Sequence, residues 1–547
     1  MIKKVLTIFF LFLCFIQTEA QDFTYSKYWV VFADKNNSPY SVNNPQAFLS
    51  EKAIERRSKM QIAINETDLP VNENYIDSLN LIGVSILNKS KWFNAATIEI
   101  TDTALLPQIE SLSFVKSIEP VFGTRIFKTE NFNETKSVVI NTSSQLTENI
   151  YGEGYNQIYM LRGDYLHKQG YKGNGVIIGV FDSGFNNADN IEGFNHLFSE
   201  NKILKTWDFV AAHDNVFDDD GHGTNVLSCM AAKIENRFIG TAPEAEFVLF
   251  RTEDAGTEFR IEEDNWVAAA ELADSLGVDV INSSLGYSDF DDPSMTYTYN
   301  DMNGRTTRIS QAAAMAARKG IVVVNSAGNS GNSAWRYITA PADADSILAV
   351  GATNDLGSVA GFSSRGPSAD GRIKPDVVAQ GAGTTVLNTA GEVRKSNGTS
   401  FSSPVMAGMV ACMIQAFPLK NNIDIINIIR ESAHLYENPN DSAGYGIPDL
   451  RKAYIINSFQ ENKLQPHAYP NPFSNELNIS FLSPFSENYT VTIYDYFGKE
   501  IAISTLYVEK GFFADFIFSD MDNLSSGLYL AKIQSEFFSD YIRVLKR

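Results

Sequence analysis

The spacing of apolar residues between positions 22 and 122 changes several times along the chain. Unbroken or alternating apolar runs predict strands, and apolar residues that recur every three or four positions predict helices. Strands are therefore expected at 29–33, 84–87, 95–100 and 115–121, and helices near 48–54, 75–81 and 105–112. Strands and helices mixed in so short a segment predict a small α+β domain.

The pattern is different in residues 151–459. The strands here are continuous apolar runs without polar alternation, and helical stretches lie between them. Strands are predicted at 176–181, 246–250, 278–282, 321–325 and 347–350, and helices at 266–276 and 310–319, among others. Strands of this kind are covered on both faces, so the predicted fold class is α/β, with a doubly wound parallel sheet. Ligand sites of such sheets lie at the carboxyl ends of the strands.

Residues 467–547 form a third zone, in which apolar and polar residues alternate between turns. Strands are expected at 477–481, 489–494, 512–518 and 528–533. This pattern is typical of an antiparallel β-sandwich. Residues 123–150 are rich in Asn, Thr, Ser and Glu and are predicted to be a linker.

The first twenty residues have the pattern of a secretory signal peptide. Lys3 and Lys4 precede an apolar run over 5–16, which is too short to span a membrane, and Ala20 is a small residue before the expected cleavage point. A membrane anchor and a lipoprotein acylated at Cys14 are the alternatives, but no stop-transfer stretch follows and the residue before Cys14 is a bulky leucine. No later apolar run reaches about 18 residues, so no transmembrane segment is expected in the mature chain.

Charge and cysteine content narrow the class of protein further. The 65 acidic residues outnumber the 44 basic residues, and the net charge of −21 argues against nucleic acid as a partner. Three cysteines are too few for a disulfide scaffold. Cys229 and Cys412 lie in apolar helical stretches and are expected to be small buried hydrophobes, with a disulfide between them as the alternative.

Three polar residues of the α/β zone lie where a strand ends or a helix begins. Asp182 follows the strand at 176–181, His222 precedes an apolar helical run at 226–234, and Ser400 opens another apolar helix. A serine hydroxyl becomes a good nucleophile when an imidazole removes its proton, and a carboxylate orients that imidazole. Ser400 is therefore predicted to be a nucleophile, His222 its general base and Asp182 the orienting carboxylate.

A fourth polar residue, Asn329, follows the strand at 321–325. Its side-chain amide and the backbone N–H of Ser400 are predicted to stabilise an oxyanion. Taken singly, Asp182 is more typical of a turn and His222 of a structural histidine, and Ser400 could be a helix N-cap and Asn329 a left-handed turn residue. All four together at strand and helix ends favour a catalytic site.

The segments that carry these residues resemble the signature blocks of the subtilisin-like serine proteases: VFDSGF, GHGT, SAGNSG and GTSFSSP. The resemblance covers about residues 155–455 and implies the subtilisin-like α/β fold and endopeptidase activity. It also implies that Ser284, Leu285 and Gly286 pair with the substrate backbone. The chain departs from the family at GHGTNVLS, where GHGTH is common, and at Phe401-Ser402, where the family often has Met-Ala.

No cofactor is expected to be required for the chemistry, but the resemblance implies structural calcium as in many family members. The chain contains two acidic runs that a calcium ion would suit: Asp214, Asp218, Asp219 and Asp220, then Asp289, Asp291 and Asp292. Solvated acidic loops are the alternative interpretation, because the spacing is not that of an EF-hand.

The zones on either side resemble accessory domains of exported proteases. Residues 22–122 resemble the family's propeptides in pattern and position, which implies an inhibitor and folding aid that is removed by cleavage between Phe122 and Tyr151. An unrelated accessory domain is the alternative. In residues 467–547, YPNPF, VTIYD and LSSGLY resemble the C-terminal sorting domain of type IX secretion cargo. This implies the type IX machinery as partner and a location outside a Gram-negative cell, with an adhesive or carbohydrate-binding sandwich as the alternative.

The function predicted from these residues is that of a secreted serine endopeptidase, made as a precursor, with proteins or peptides as substrates and an acyl-enzyme intermediate. The alternative is a catalytically silent surface protein that uses the same scaffold for binding or adhesion.

Overall fold

The computed structural model describes residues 23–125, 150–461, 466–510, 512–536 and 539–547. The predicted signal peptide at 1–20, Cys14 and most of the predicted linker lie outside these residues. Within the described ranges, no helix is long and apolar enough to cross a membrane.

The N-terminal unit combines one sheet with three helices. Its elements are β1 Phe23–Phe32, α1 Glu51–Lys59, α2 Glu73–Ile82, β2 Ser85–Ser90, β3 Ala95–Glu99, α3 Leu106–Glu110 and β4 Val115–Arg125. The sheet is antiparallel with the order β2-β3-β1-β4. Its core joins Val30 and Ile98 of the sheet to Leu79 and Ile109 of the helices, all fully buried. The α+β prediction is confirmed, and β4 continues past the predicted linker start at residue 123.

The central unit is built on eleven strands, of which seven form one parallel sheet. The strands are β5 Ile177–Asp182, β6 Ile203–Asp208, β7 Lys233–Ile234, β8 Phe238–Ile239, β9 Glu246–Arg251, β10 Val280–Ser283, β11 Val322–Ser326, β12 Leu348–Thr353, β13 Val377–Gln380, β14 Ala382–Leu387 and β15 Val393–Asn397. The order of the large sheet is β13-β12-β11-β10-β5-β9-β6. Two antiparallel pairs, β7-β8 and β14-β15, lie outside it.

Helices cover both faces of this sheet. They are α4 Tyr155–Tyr159, α5 Gly163–Lys168, α6 Asn195–Ser199, α7 His222–Ala231, α8 Ile261–Leu276, α9 Arg308–Arg318, α10 Thr399–Ala416, α11 Asn422–Ser432 and α12 Leu450–Glu461. Every residue of β5 is buried: Ile178 and Val180 pack with α7 and α10, while Ile177 and Phe181 pack with α8 and α9. The predicted doubly wound α/β fold is confirmed.

Two helices of the central unit contain the cysteines of the described chain. Cys229 in α7 and Cys412 in α10 are both fully buried, and neither forms a disulfide. The prediction of small buried hydrophobes is confirmed, and the alternative of a disulfide between them is wrong.

The C-terminal unit is a sandwich of two antiparallel sheets. Its strands are β16 His467–Tyr469, β17 Leu477–Leu482, β18 Glu487–Tyr494, β19 Glu500–Val508, β20 Phe513–Phe518, β21 Gly527–Gln534 and β22 Ser539–Lys546. The sheets have the orders β16-β17-β20 and β19-β18-β21-β22. Ile479 and Phe481 of one sheet and Val491 and Ile493 of the other are fully buried in the shared core. The predicted sandwich is confirmed.

The N-terminal unit packs against the outer face of α8 through buried polar contacts. The Glu271 carboxylate accepts hydrogen bonds from the Ser90 hydroxyl at 2.6 Å, the Lys91 N–H at 2.6 Å and the Trp92 N–H at 3.0 Å. One turn farther, Asp274 lies beside Arg56 and Arg57 of α1. These contacts join a loop and a helix of the N-terminal unit to one helix of the central unit.

The ion pairs around Asp274 form a closed network. Asp274 accepts from Arg56 Nη2 at 2.6 Å and from Arg57 Nη2 at 2.8 Å. Arg57 also donates to Asp68 at 3.0 Å, and Asp68 accepts from Lys319 of the central unit at 2.8 Å. All of these side chains are at most 5% exposed, so each charge depends on its partners for stabilisation.

Replacing Asp274 with alanine should therefore destabilise the uncleaved chain strongly. The change leaves two arginines buried without their main anion, which costs about 3–5 kcal/mol in comparable buried pairs. Urea unfolding of the chain carrying Ser400→Ala measures the loss. Glu73→Ala is the control, since the Lys89–Glu73 pair is 44% and 47% exposed and should contribute about 1 kcal/mol or less. Equal losses in the two variants would contradict the expectation.

Candidate active site

Asp182 and His222 meet at the carboxyl end of the parallel sheet. Asp182 is the last residue of β5, and His222 is the first residue of α7. The His222 Nδ1 and the Asp182 Oδ1 lie 2.7 Å apart. The Asp182 side chain is fully buried, whereas His222 is one-third exposed. The imidazole is therefore held from one side by a buried carboxylate and reaches solvent on the other.

The charge of Asp182 determines the titration of His222. Burial alone would lower the pKa of the imidazole, but the adjacent Asp182 carboxylate outweighs burial, with smaller contributions from Glu253 and Asp220, and raises that pKa to about 9. Asp182 acts both through its charge and through its hydrogen bond to the imidazole. The neutral, proton-accepting form of His222 therefore becomes more populated as the pH rises.

Ser400 lies in the first turn of α10. The preceding Gly398 has a φ of 153°, which L side chains rarely adopt, so glycine suits this helix entry. Ser400 is 8% exposed, and its hydroxyl donates to the carbonyl oxygen of Ser284 at 3.4 Å. Among the hydrogen bonds of the described residues there is none between Ser400 and His222. Catalytic hydrogen bonds often tighten only when substrate binds.

The ring of Phe401 lies next to His222, with the ring centroids 5.7 Å apart. Phe401 is 4% exposed and directly follows Ser400, so it places the imidazole beside the nucleophile's helix. The departure from the family pattern at Phe401 therefore supplies an aromatic contact to His222.

Asn329 is held in one orientation by Thr399. The Asn329 Oδ1 accepts from the Thr399 N–H at 2.8 Å and from the Thr399 hydroxyl at 3.0 Å. Since the oxygen is occupied, the group of this amide that is left to bind a ligand is the Nδ2 donor. A methyl group added to Gly398 would lie 3.6 Å from that Nδ2, which places the donor beside the loop that carries Ser400.

The segment of Ser284, Leu285 and Gly286 borders Ser400 directly. The Ser284 hydroxyl donates to the Ser400 carbonyl oxygen at 2.9 Å, and the Leu285 carbonyl oxygen accepts from Asn325 at 3.1 Å. Gly286 packs so closely on Thr339 that an added Cβ would lie 2.2 Å from its hydroxyl. The segment thus extends from the end of β10 along the side of Ser400.

Two residues that the sequence analysis did not assign to the site also hold it in place. Asp220 accepts from the backbone N–H of His222 at 2.8 Å and from the Ser183 hydroxyl at 2.7 Å, so it fixes the start of α7 against the end of β5. Thr399 fixes Asn329. The sequence showed Asp220 as part of an acidic run, and its position two residues before His222 was the only signal that pointed to the site.

The two acidic runs considered for calcium do not converge in the part of the chain that the structure describes. Asp219 pairs with Arg251 at 2.9 Å, and Asp292 accepts from the Tyr25 hydroxyl at 2.6 Å. Other members bind local backbone and side-chain groups, such as Asp291, which accepts from the Glu258 N–H. Because their carboxylate oxygens bind different partners, these two runs do not form a shared ion site among the described residues.

Comparison with known proteins identifies the family of the central unit. The model of the subtilase family matches residues 173–446, which is half of the chain. The chain belongs to the subtilase family. A model of the peptidase S8 propeptide domain of Bacteroidota matches residues 27–137, and a model of the secretion system C-terminal sorting domain matches residues 467–543. The chain thus combines a subtilase domain with a propeptide domain and a secretion sorting domain, and the sorting domain indicates secretion or attachment to the cell surface.

Similar proteins include bacterial and animal subtilases. Subtilisin DY of Bacillus licheniformis is 31% identical over 295 residues, 53% of this chain and 93% of that protein. The human membrane-bound transcription factor site-1 protease is 31% identical over 313 residues, 55% of this chain, but this chain spans only 27% of that protein. The crystal structure of MycP1 from Mycobacterium smegmatis aligns with a TM-score of 0.45 and 23% identity, covering 59% of this chain and 89% of that one.

The titration of His222 should show its dependence on Asp182. In the chain carrying Ser400→Ala, we expect His222 to titrate above the ordinary value of about 6.5 and toward 9. With Asp182→Asn, the main raising charge is lost while burial remains, so the His222 pKa should fall below its value with Asp182 present. Histidine NMR signals followed against pH, with His222→Gln for assignment, measure both values. An unchanged His222 pKa in the Asp182→Asn variant would contradict the assignment.

Proposed function

We propose that this subtilase is a secreted serine endopeptidase that cleaves peptide bonds through Asp182, His222 and Ser400. The observation that carries the proposal is the 2.7 Å contact between the buried Asp182 carboxylate and His222 Nδ1, beside a serine in the first turn of α10. Together these groups provide an oriented base and a nucleophile in the positive field of a helix N-terminus.

The chemistry starts with proton transfer. His222 accepts the Ser400 proton as the Ser400 Oγ attacks the carbonyl carbon of the peptide, and Asp182 stabilises the imidazolium that forms. The tetrahedral intermediate collapses to an acyl-enzyme when His222 protonates the leaving amine. Water, deprotonated by His222, then attacks the acyl carbonyl carbon, and His222 returns this proton to the Ser400 Oγ as the acid leaves. Because His222 must be neutral to accept a proton, the rate should rise as the pH rises through its pKa.

The negative oxygen of the tetrahedral intermediate needs hydrogen-bond donors. The Ser400 backbone N–H and the Asn329 Nδ2 are the two donors proposed for it, since Thr399 occupies the Asn329 oxygen. Donors fixed before the reaction stabilise the charge without reorganisation.

Proteins or peptides are the proposed substrates, bound as an added strand along Ser284, Leu285 and Gly286. These residues follow β10 and contact Ser400, so an extended peptide hydrogen-bonded to their backbone would bring its carbonyl carbon to the nucleophile. No cofactor enters these steps. The propeptide, which packs against α8, is proposed to keep the precursor inactive until it is cleaved.

A fluorophosphonate probe tests the proposal against the alternative of a silent binding protein. The secreted enzyme should be labelled at Ser400 and should cleave unfolded proteins, because an activated serine attacks phosphorus as it attacks a carbonyl. The Ser400→Ala variant should not be labelled and should keep only about 10³–10⁴-fold catalysis over water. A folded secreted protein that neither takes the label nor cleaves any peptide would instead support the binding protein.

Replacing Asn329 with leucine should lower kcat and change KM little, because the oxyanion exists only after attack. The expected loss in kcat is about 10²–10³, the size known for removal of one such donor in subtilisin, a member of the same family. Steady-state kinetics on one peptide measure both constants. Asn332→Leu is the control, since Asn332 is an exposed asparagine on the same loop. If the Asn329 variant kept its kcat, the second oxyanion donor would have to be another group.

A further inference from the structure

Three glutamates gather between the end of β9 and the first turn of α8. They are Glu253, Glu258 and Glu262, and one carboxylate oxygen of each lies within 4.8 Å of the others. We call these residues the acidic cluster. None of them belongs to the aspartate runs in which the sequence suggested calcium, although Asp291 of the second run accepts from the Glu258 N–H.

The acidic cluster contains a buried carboxylate that lacks a partner. Glu262 is 1% exposed, and neither of its side-chain oxygens has a hydrogen-bond partner among the described residues. Burial raises the pKa of Glu262 to about 11, that of Glu258 to about 8 and that of Glu253 to about 7, and neighbouring negative charges add to each shift. A buried carboxylate without a partner is costly, so the site is suited to a cation.

The acidic cluster lies beside the catalytic carboxylate. Arg251 of β9 pairs in register with Asp182 of β5, and the N–H of Thr252 donates to the Asp182 carbonyl oxygen at 3.0 Å. Glu253 is the next residue, and its charge contributes to the raised pKa of His222. One side of the cluster is therefore part of the wall of the active site.

The charges of the acidic cluster also act on Tyr287, the residue that follows the segment proposed to bind substrate. Tyr287 directly follows Gly286, is fully buried, and its hydroxyl has no partner among the described residues. Burial raises the pKa of this hydroxyl well above its ordinary value, and the charges of Glu253 and Glu262 raise it further. The Tyr287 hydroxyl thus lies within the electrostatic reach of the acidic cluster.

The surroundings of the acidic cluster would allow a side chain of a bound peptide to be bound reversibly. Glu253 and Glu258 are only partly buried, so the cluster can be reached from outside. The Tyr287 ring stacks on Phe290 at 6.1 Å, which provides aromatic surface next to the carboxylates. Phe259, between two of the glutamates, contacts Phe122 of β4 at 4.8 Å, so the propeptide strand crosses here.

We propose that the acidic cluster binds an arginine or lysine side chain of the peptide substrate and makes this enzyme select basic sequences. This inference rests on the proposed peptidase function. A guanidinium offers several N–H donors in a planar array, which suits carboxylates on more than one side and aromatic surface beside them. A calcium ion, in contrast, takes six to eight oxygens, and the cluster supplies three carboxylates that are open on one side.

The test uses pairs of fluorogenic peptides. One peptide of each pair contains a single arginine, and the other contains citrulline in its place. Successive pairs carry this residue at successive positions of the peptide. Citrulline keeps the shape of arginine but has no charge. For at least one position, the secreted enzyme should cleave the arginine peptide with a kcat/KM about 10- to 100-fold higher, which corresponds to hydrogen bonds with a charged group. A ratio near one at every position would overturn the proposal.

Variants of the acidic cluster test whether these glutamates cause the preference for arginine. In Glu262→Gln and Glu258→Gln the ratio of the two rates should fall toward one, because an amide, unlike a carboxylic acid, cannot lose a proton and become an anion when a cation binds. Glu437→Gln is the matched control, an exposed glutamate elsewhere on the central unit, and should keep the wild-type ratio. If the cluster variants kept that ratio as well, another site would be responsible and the proposal would fail.

Two further measurements distinguish failure of the peptidase function, and binding of a metal at the cluster, from absence of the basic preference. Fluorophosphonate labelling reports whether each variant is folded and has an active serine, so loss of all labelling in the wild type would refute the peptidase function rather than the basic preference alone. Calcium titration with thermal unfolding, before and after EDTA, tests the cluster as a metal site. A calcium-dependent stabilisation that is lost in Glu262→Gln, together with equal cleavage of both peptides, would overturn the proposal in favour of a metal.

Discussion

Helix α8 is buried on both sides, and this constraint connects the parts of the molecule. Its inner face packs on the parallel sheet through residues such as Trp266, while its outer face carries Asp264, Glu271 and Asp274. Buried carboxylates are stable only when cations or N–H groups surround them. The N-terminal unit supplies these groups, which explains why the propeptide binds through arginines, a lysine and backbone amides rather than through an apolar surface alone.

The first turn of the same helix carries three buried carboxylates, and they differ in whether a hydrogen-bond donor or a cation is present. Glu263 accepts from the Tyr297 hydroxyl at 2.8 Å, and Asp264 accepts from Thr97 at 3.0 Å and pairs with Arg308. Glu262, one position earlier, faces the catalytic side and has no partner among the described residues. Along this helix, Glu271 and Asp274 are paired with groups of the propeptide, whereas neither carboxylate oxygen of Glu262 has a hydrogen-bond partner among the described residues.

Much of this arrangement was predictable from the sequence. Central strands such as β5 are continuous apolar runs because both of their faces are buried, whereas β6 and β13 at the sheet edges were missed. In β6 only Asp208 is buried, and β13 has four residues. Asp182, His222, Ser400 and Asn329 were found because glycine-rich blocks surround each of them, although their catalytic roles stay a prediction. Residues whose role depends on distant partners could not be predicted in this way. Thr399 orients Asn329 across 70 positions of sequence, and only the fold shows that Glu262, in the first turn of a helix, is buried without a partner.

The propeptide contacts and the proposed basic preference have one physical origin. The chain carries a net charge of −21, and several of its carboxylates on α8 are buried where water does not stabilise them. Such carboxylates favour any segment that brings positive charge or N–H donors to them. Along α8 that segment is the propeptide, through Arg56, Arg57 and Lys91. At the acidic cluster we infer that it is the substrate, so one electrostatic property of the helix would serve both inhibition and selection.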